Sequence, residues 1–436
     1  MFLINYVILL LVTIIITLID NGGLLAFLCE SAIALLILGY SANKRGIPYT
    51  ENAALIFASL SYFFILMYHI MFDAIVPMPF LLKATLSERY EATLLSLFFV
   101  NALILGGLLS VFFSPPREMY REFQANRPLH LSRKIIGQLF FIAWFPVILS
   151  IIAYFAYFRT QPYVALHIDG GGGWGYGLKF IYVSCAIVFI VGILEDDFNK
   201  YKWKLILLTF ALIFVYGVLY KLRSPLMYYL LLLLFVHGRR LRLRSLILIG
   251  VIGVISLAGI ALIRDSSLTE SGVGTGLLDM IVGLGGQVDS MIFAKHYIDS
   301  NGIMGGAGFL NSFFGLAEPM TNEYAKSIDL DYFNAGGGFG FFITSDFLLN
   351  FGVSFGLLAM LFFGYLLTSI RRIQSGFYSL AFLSTVYAGA FVLVRNDFGS
   401  TFRSSMYTFI SILLVMLVLK IAVLSSANKV GQQSKE

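Results

Sequence analysis

Charge is what this chain of 436 residues has least of: Asp, Glu, Lys and Arg together make up only 12%. A soluble domain carries roughly twice that and could not hide the apolar remainder, so a soluble globular fold is excluded. Cysteine is nearly absent. The two present, Cys29 and Cys185, lie inside apolar runs, where they read as small hydrophobes and not as a disulfide or metal site. Five histidines are scattered with no ligand spacing, so neither a metal nor any other cofactor is expected. No half of the chain repeats the other, which counts against the duplicated architecture common among transporters. No small-residue cleavage site follows the first apolar run, and it is expected to remain as a helix.

What fills the chain is apolar sequence, 59% of it. Runs of about 18 residues recur, each long enough to cross a hydrocarbon core of ~30 Å. Twelve spans are predicted, near 2–19, 24–41, 53–72, 92–114, 136–158, 179–195, 204–220, 225–237, 245–263, 339–369, 375–394 and 404–424. The expected fold is an all-α polytopic membrane protein in four parts. Spans one to nine occupy 1–263, a large loop 264–338, spans ten to twelve 339–424, and a tail 425–436.

Cations orient the spans, because short cytoplasmic loops accumulate Lys and Arg. With the N-terminus in the cytoplasm, most of the 30 Lys and Arg fall inside, at 44–45, 117–134, 200–204, 239–244, 371–372 and 420–435. The runs "GRRLRLR" and "IRR" flank short loops and decide the matter. Both termini are therefore expected in the cytoplasm, and the net charge of +6 is that inside excess. It suits anionic membrane lipids and makes no case for a nucleic-acid partner. Lys221, Arg223, Arg264, Arg395 and Arg403 run against the bias and face outward, each near the end of a span.

Two helix starts on that outer face look suited to anions. In "KLRSPLM", Ser224 can cap and Pro225 can open the eighth span beside Lys221 and Arg223. In "RNDFGSTFRSS", Ser400 or Thr401 can cap the last span between Arg395 and Arg403. A positive helix end flanked by guanidinium groups fits a diphosphate, although any one such cation could simply reach for headgroups. Asp346, in "FFITSDFLLNFG", is an acid in apolar surroundings. It either neutralises an arginine or takes a proton from a hydroxyl nucleophile. Asp397 reads as an ion-pair partner of the arginines on either side of it.

The large outer loop carries apolar residues at helical spacing from Leu277 to Ile292, followed by "GIMGGAGF" and "NAGGGFGFF". A helix packed on the spans or lying along the membrane, with tight glycine turns after it, is predicted. His296 sits there as a weaker base candidate without an evident partner. Asp329 and Asp331 form an Asp-Leu-Asp pair that chance alone supplies often. Glu30 and His69 read as polar glue between spans, and Glu195, Asp196 and Asp197 as a solvated helix end. Trp174 and Tyr176, on a glycine-rich loop, could stack on sugars or belong to the interfacial aromatic belt.

Three of these features resemble the O-antigen polymerase family, the oligosaccharide repeat-unit polymerases of bacterial inner membranes. They are the outward Arg-Ser pair in "KLRSPLM", the outer-loop stretch "MGGAGFLNSFFGLAEPM", and the acid followed by Asn-Phe-Gly in "ITSDFLLNFGVSFGLLAMLFFG". The resemblance is specific only over about 220–365, and the family often has Glu where this chain has Asp346. It implies a lipid-phosphosugar, GT-C-like glycosyltransferase of the bacterial inner membrane with its active site in the periplasm. Donor and acceptor would be oligosaccharides on undecaprenyl diphosphate, with room for a partner that regulates chain length. Arg223, Arg264 and Arg403 would hold the diphosphate, Lys221 and Arg395 would support them, and Asp346 would be the base. An O-antigen ligase relying on His296 is the nearest alternative. A flippase for lipid-linked sugars is the other, but it should carry charges deep in its spans, and these cluster at their ends.

Overall fold

The computed structural model describes residues 84–113, 133–158, 200–220, 286–328, 340–369 and 396–433, with scattered helical positions elsewhere. Among the described residues there is no β-strand. The principal helices, in chain order, are α1 (Leu86–Phe113), α2 (Arg133–Ala153), α3 (Lys200–Leu219), α4 (Ser290–Asn301), α5 (Ala307–Phe314), α6 (Met320–Ile328), α7 (Ile343–Ser369) and α8 (Phe398–Gln433). Among the described residues, three stretches are long and apolar enough to cross a membrane: Leu86–Gly107, Phe140–Tyr157 and Ile343–Ser369. The chain is thus a helical protein with membrane-spanning segments. The twelve spans expected from sequence fall in large part on residues outside those described.

Lipid-facing and buried surfaces separate along these helices. On α2, Phe141, Phe145, Ile148, Leu149 and Ile152 are exposed, whereas Phe140, Ala143 and Val147 are buried. Polar atoms on the inner faces find partners in neighbouring helices: Trp144 Nε1 donates to Thr209 Oγ1 at 3.2 Å, and the Tyr220 hydroxyl to the Ser150 carbonyl at 2.8 Å. Buried polar groups without such partners would be costly in hydrocarbon.

Helices α1 and α7 form the closest pair, and glycine makes it possible. A Cβ at Gly364 would collide with the Leu103 carbonyl, and one at Gly106 with the Leu361 carbonyl. Small residues let two backbones approach where burial of apolar surface gives no drive within lipid. The contacts run from Phe99 against Gly356 to the hydroxyls of Ser110 and Ser369, 2.8 Å apart. These helices are therefore parallel.

Helix α7 is broken. Gly352 has φ 68° and ψ −171°, outside any helix and in a region open to glycine. The tenth span, read from sequence as one long helix, is two helical pieces on either side of this residue. The break frees carbonyls that the loop satisfies: Met304 N–H donates to Leu349 O and Gly306 N–H to Asn350 O, both at 3.1 Å. Helices α4, α5 and α6 cover the end at which α1, α7 and α8 begin, joined to them by contacts described below. Val288, Met291, Ile292 and Ala294 are buried there. Of the two placements predicted for the loop helix, packing on the spans is the one observed. Its described part starts at Gly286, and positions 277–285 of the predicted helix lie outside the described residues.

Candidate functional site

Two carboxylates meet at the start of α8. Asp346, in the first turn of α7 and only 2% exposed, accepts the Phe398 backbone N–H on Oδ2 at 2.7 Å. Its Oδ1 accepts from Asn350 Nδ2 at 3.0 Å, one helical turn on. Asp397, 4% exposed, accepts Ser400 N–H at 2.8 Å and the Ser312 hydroxyl at 2.6 Å on Oδ1. The hydroxyls of Thr321 and Ser400 donate to its Oδ2.

This geometry corrects two expectations. Asp397 is not an ion-pair partner of Arg403; it is the N-cap of α8, and Ser400 stands at the third helical position and not at the cap. The reason is that a carboxylate immediately before a helix finds free N–H groups closer than any side-chain cation. The second correction concerns the anion site predicted at this helix start. Its N–H groups already serve the protein's own acids, Asp346 and Asp397.

Asn350 ties these acids to the loop. Its Oδ1 accepts the Phe309 N–H at 3.3 Å, and a Cβ at Gly308 would lie 2.7 Å from it. Phe309 then stacks on Phe398 with ring centroids 4.9 Å apart and meets Phe347 and Phe351 edge-on. So "MGGAGF" and "SDFLLNFG", two stretches that carry the family resemblance, lock onto one another. Sequence reasoning missed Asn350, although an Asn one turn after an Asp in an apolar run was a legible signal.

Arg403 lies a turn and a half into α8. Its guanidinium covers Gly315, the left-handed residue that ends α5, with Nη1 2.5 Å from where a Cβ would be. Among the described residues neither a carboxylate nor any other group pairs with Arg403. The C-terminal end of α5 offers it a favourable dipole. Asp346 therefore does not neutralise this arginine, and each of its oxygens already has a donor.

His296, expected to stand alone, has a partner. Its Nε2 is 3.0 Å from Glu88 Oε1, while Glu88 Oε2 accepts both the N–H and the hydroxyl of Thr85 at 2.7 and 2.8 Å. Thr85 and Glu88 form a capping box at the start of α1, and that box aims the second carboxylate oxygen at the histidine. Beside it Lys295 pairs with Glu91. Deeper in, Asp289, fully buried at the head of α4, accepts the Tyr68 hydroxyl at 2.7 Å. Burial, and then the charge of Asp289, push the nearby Tyr324 phenol well above its usual range and keep it protonated. In the loop between α5 and α6, the Lys326 ammonium holds the Glu318 carboxyl below its usual range.

Lys221, Arg223, Arg264, Arg395, Trp174 and Tyr176 lie outside the described residues, as do Asp329, Asp331, Glu30, His69 and the 195–197 acids. Pro225 and Leu226 are helical, and Ser224 lies outside the described residues. Among the described residues no three His, Cys, Asp or Glu converge as metal ligands. Comparison of the chain with family models, with curated proteins and with solved structures finds no match.

Proposed function

We propose that this protein is a membrane glycosyltransferase that polymerises lipid-linked oligosaccharides, of the O-antigen or surface-polysaccharide kind. One observation carries the reading: the glycine-rich loop and the Asp346–Asn350 half-helix interlock at the starts of α7 and α8, with Arg403, unpaired among the described residues, beside them. Undecaprenyl diphosphate would carry both donor and acceptor, at the periplasmic face of the inner membrane.

In the reaction, a hydroxyl of the acceptor repeat unit attacks the anomeric carbon of the growing glycan. The bond from that carbon to the diphosphate breaks, and undecaprenyl diphosphate departs with the electron pair. Charge grows on the leaving oxygen, so fixed cations stabilise the transition state more than the ground state. Arg403 is suited to this task because no carboxylate among the described residues claims it, and Arg223 and Arg264 would act with it. Lys221 and Arg395 would add to the field.

Asp346 fits a positioning role better than the role of base. Both its oxygens are occupied, and it fixes the start of the helix that bears Arg403. The acceptor proton then leaves late, to water, as the bond to the diphosphate loosens.

The test uses purified protein in liposomes with the undecaprenyl-diphosphate oligosaccharide extracted from the source strain. Wild type should convert it into a ladder of longer lipid-linked glycans. Arg403→Lys should slow this roughly tenfold or more, because one charge-assisted pair contributes about 1.5–3 kcal/mol and Lys lacks the planar fork. A full-rate Arg403→Lys enzyme would remove Arg403 from the diphosphate clamp.

The His296–Glu88 pair favours a second reading, a ligase. A histidine oriented by a capped carboxylate is the arrangement of a general base. In that case the glycan would pass to lipid A core, and liposomes containing only lipid-linked repeat units would yield no ladder.

A further inference from the structure

Helix α5 is built inside out for a helix in water. Its buried residues are small or polar: Gly308 lies against the Asn350 side chain, and the Ser312 hydroxyl is bonded to Asp397. Phe309 packs inward on Phe398 and Phe347, but two of the helix's large apolar residues point the other way. Leu310 is 60% exposed and Phe314 64%, and Leu316, just past the end of the helix, is 76% exposed. A surface helix normally buries its apolar stripe and wets its polar one. The reversal here has a physical sense only if the medium around those side chains is itself apolar.

Two further observations say what that medium is. The patch is continuous with the apolar outer face of α8: Phe314 meets Phe313 edge-on at 4.9 Å, Phe313 meets Phe402 at 5.5 Å, and exposed Tyr407, Ile410, Leu414 and Leu417 follow. Next to the patch, at the end of α5, lies the guanidinium of Arg403, over Gly315 and unpaired among the described residues. An apolar surface beside a cation that no described residue pairs matches lipid, with acyl chains against the apolar side chains and phosphate against the cation.

We propose that α5 is a membrane-seated element, with Leu310, Phe314 and Leu316 inserted among the acyl chains of the leaflet at which α8 begins, and Arg403 at its phosphate layer. Such seating fixes the depth of the loop, and so of the Asp346–Asn350 junction beneath it. It stands whether or not the protein polymerises glycans.

The test is spin labelling of the full chain in phospholipid nanodiscs. A nitroxide is attached at Leu310→Cys, Phe314→Cys or Leu316→Cys, with Leu414→Cys as the lipid-facing reference and Asp299→Cys as the aqueous one. Unmutated protein reports labelling of the native cysteines. Collision with oxygen, which concentrates in lipid, is compared with collision with a water-soluble nickel chelate. At 310 and 316 oxygen should be favoured several-fold, as at 414, and nickel should be favoured at 299. Nickel access at 310 and 316 like that at 299 overturns the proposal in favour of a wet surface. Exclusion of both reagents overturns it in favour of a protein partner or a second copy. Because 310 and 316 are exposed, their variants should fold even if the one at 314 does not.

Discussion

Asp346→Ala should reduce polymer formation by about a hundredfold, whereas Asp346→Asn should remain within roughly tenfold of wild type. The argument starts from the two hydrogen bonds that Asp346 accepts, from Phe398 N–H and from Asn350. Alanine removes both and orphans a buried N–H at the head of α8, which costs about 1–3 kcal/mol and lets that helix shift. An error of about 1 Å in a group that acts on the transition state is enough for a hundredfold loss. Asparagine keeps a carbonyl oxygen for Phe398, so the helix stays in register. A base behaves otherwise. Were Asp346 the proton acceptor, asparagine would be as damaging as alanine, at about 10²–10⁴-fold. Initial rates of ladder formation by the two variants, compared at equal amounts of folded protein, separate positioning from proton transfer.

Asp397→Ala should be the most destabilising single change in the site, by about 3 kcal/mol. The loss of an N-cap accounts for up to ~2 kcal/mol. The rest comes from the hydroxyls of Ser312 and Thr321, left without their acceptor inside the protein. Because Ser312 belongs to α5 and Thr321 to α6, the same carboxylate holds two loop helices to α8, and all three should loosen together. Asp397→Asn keeps the cap and should cost no more than about 1 kcal/mol. Equilibrium unfolding in mild detergent measures both. An alanine variant as stable as wild type would mean that the loop is held by something other than this junction.

The spans were easy to read because hydropathy is a local property. Helices α1, α2, α3, α7 and α8 overlap predicted spans, and α1, α2 and α7 carry stretches long and apolar enough to cross a membrane. At α1, Thr85 and Glu88 draw the helix back to Leu86. The break at Gly352 was not legible, since glycine occurs inside unbroken helices too, as Gly356 and Gly364 do in the same stretch. Only the loop amides at Met304 and Gly306, which take the freed carbonyls, distinguish it.

Contacts across long sequence distances account for the misreadings of the site. Neither Glu88 as the partner of His296, 208 positions away, nor Tyr68 as the partner of Asp289, 221 positions away, leaves a trace in local pattern. Asp397 was a different error. Arg403 in its sequence neighbourhood suggested charge pairing, but Asp397 takes a backbone N–H of its own helix, and Arg395 lies outside the described residues. Arg403, conversely, was identified from sequence as an outward cation, and it is the one whose surroundings the structure describes.

The most direct test of polymerisation is a lipopolysaccharide gel from a strain lacking the gene, with and without the wild-type copy restored. The account predicts loss of the long-chain ladder, retention of the band of core bearing a single repeat unit, and return of the ladder on complementation. Loss of that single-unit band together with the ladder would contradict it, because transfer to core, or supply of the lipid-linked unit, would then be the step that fails.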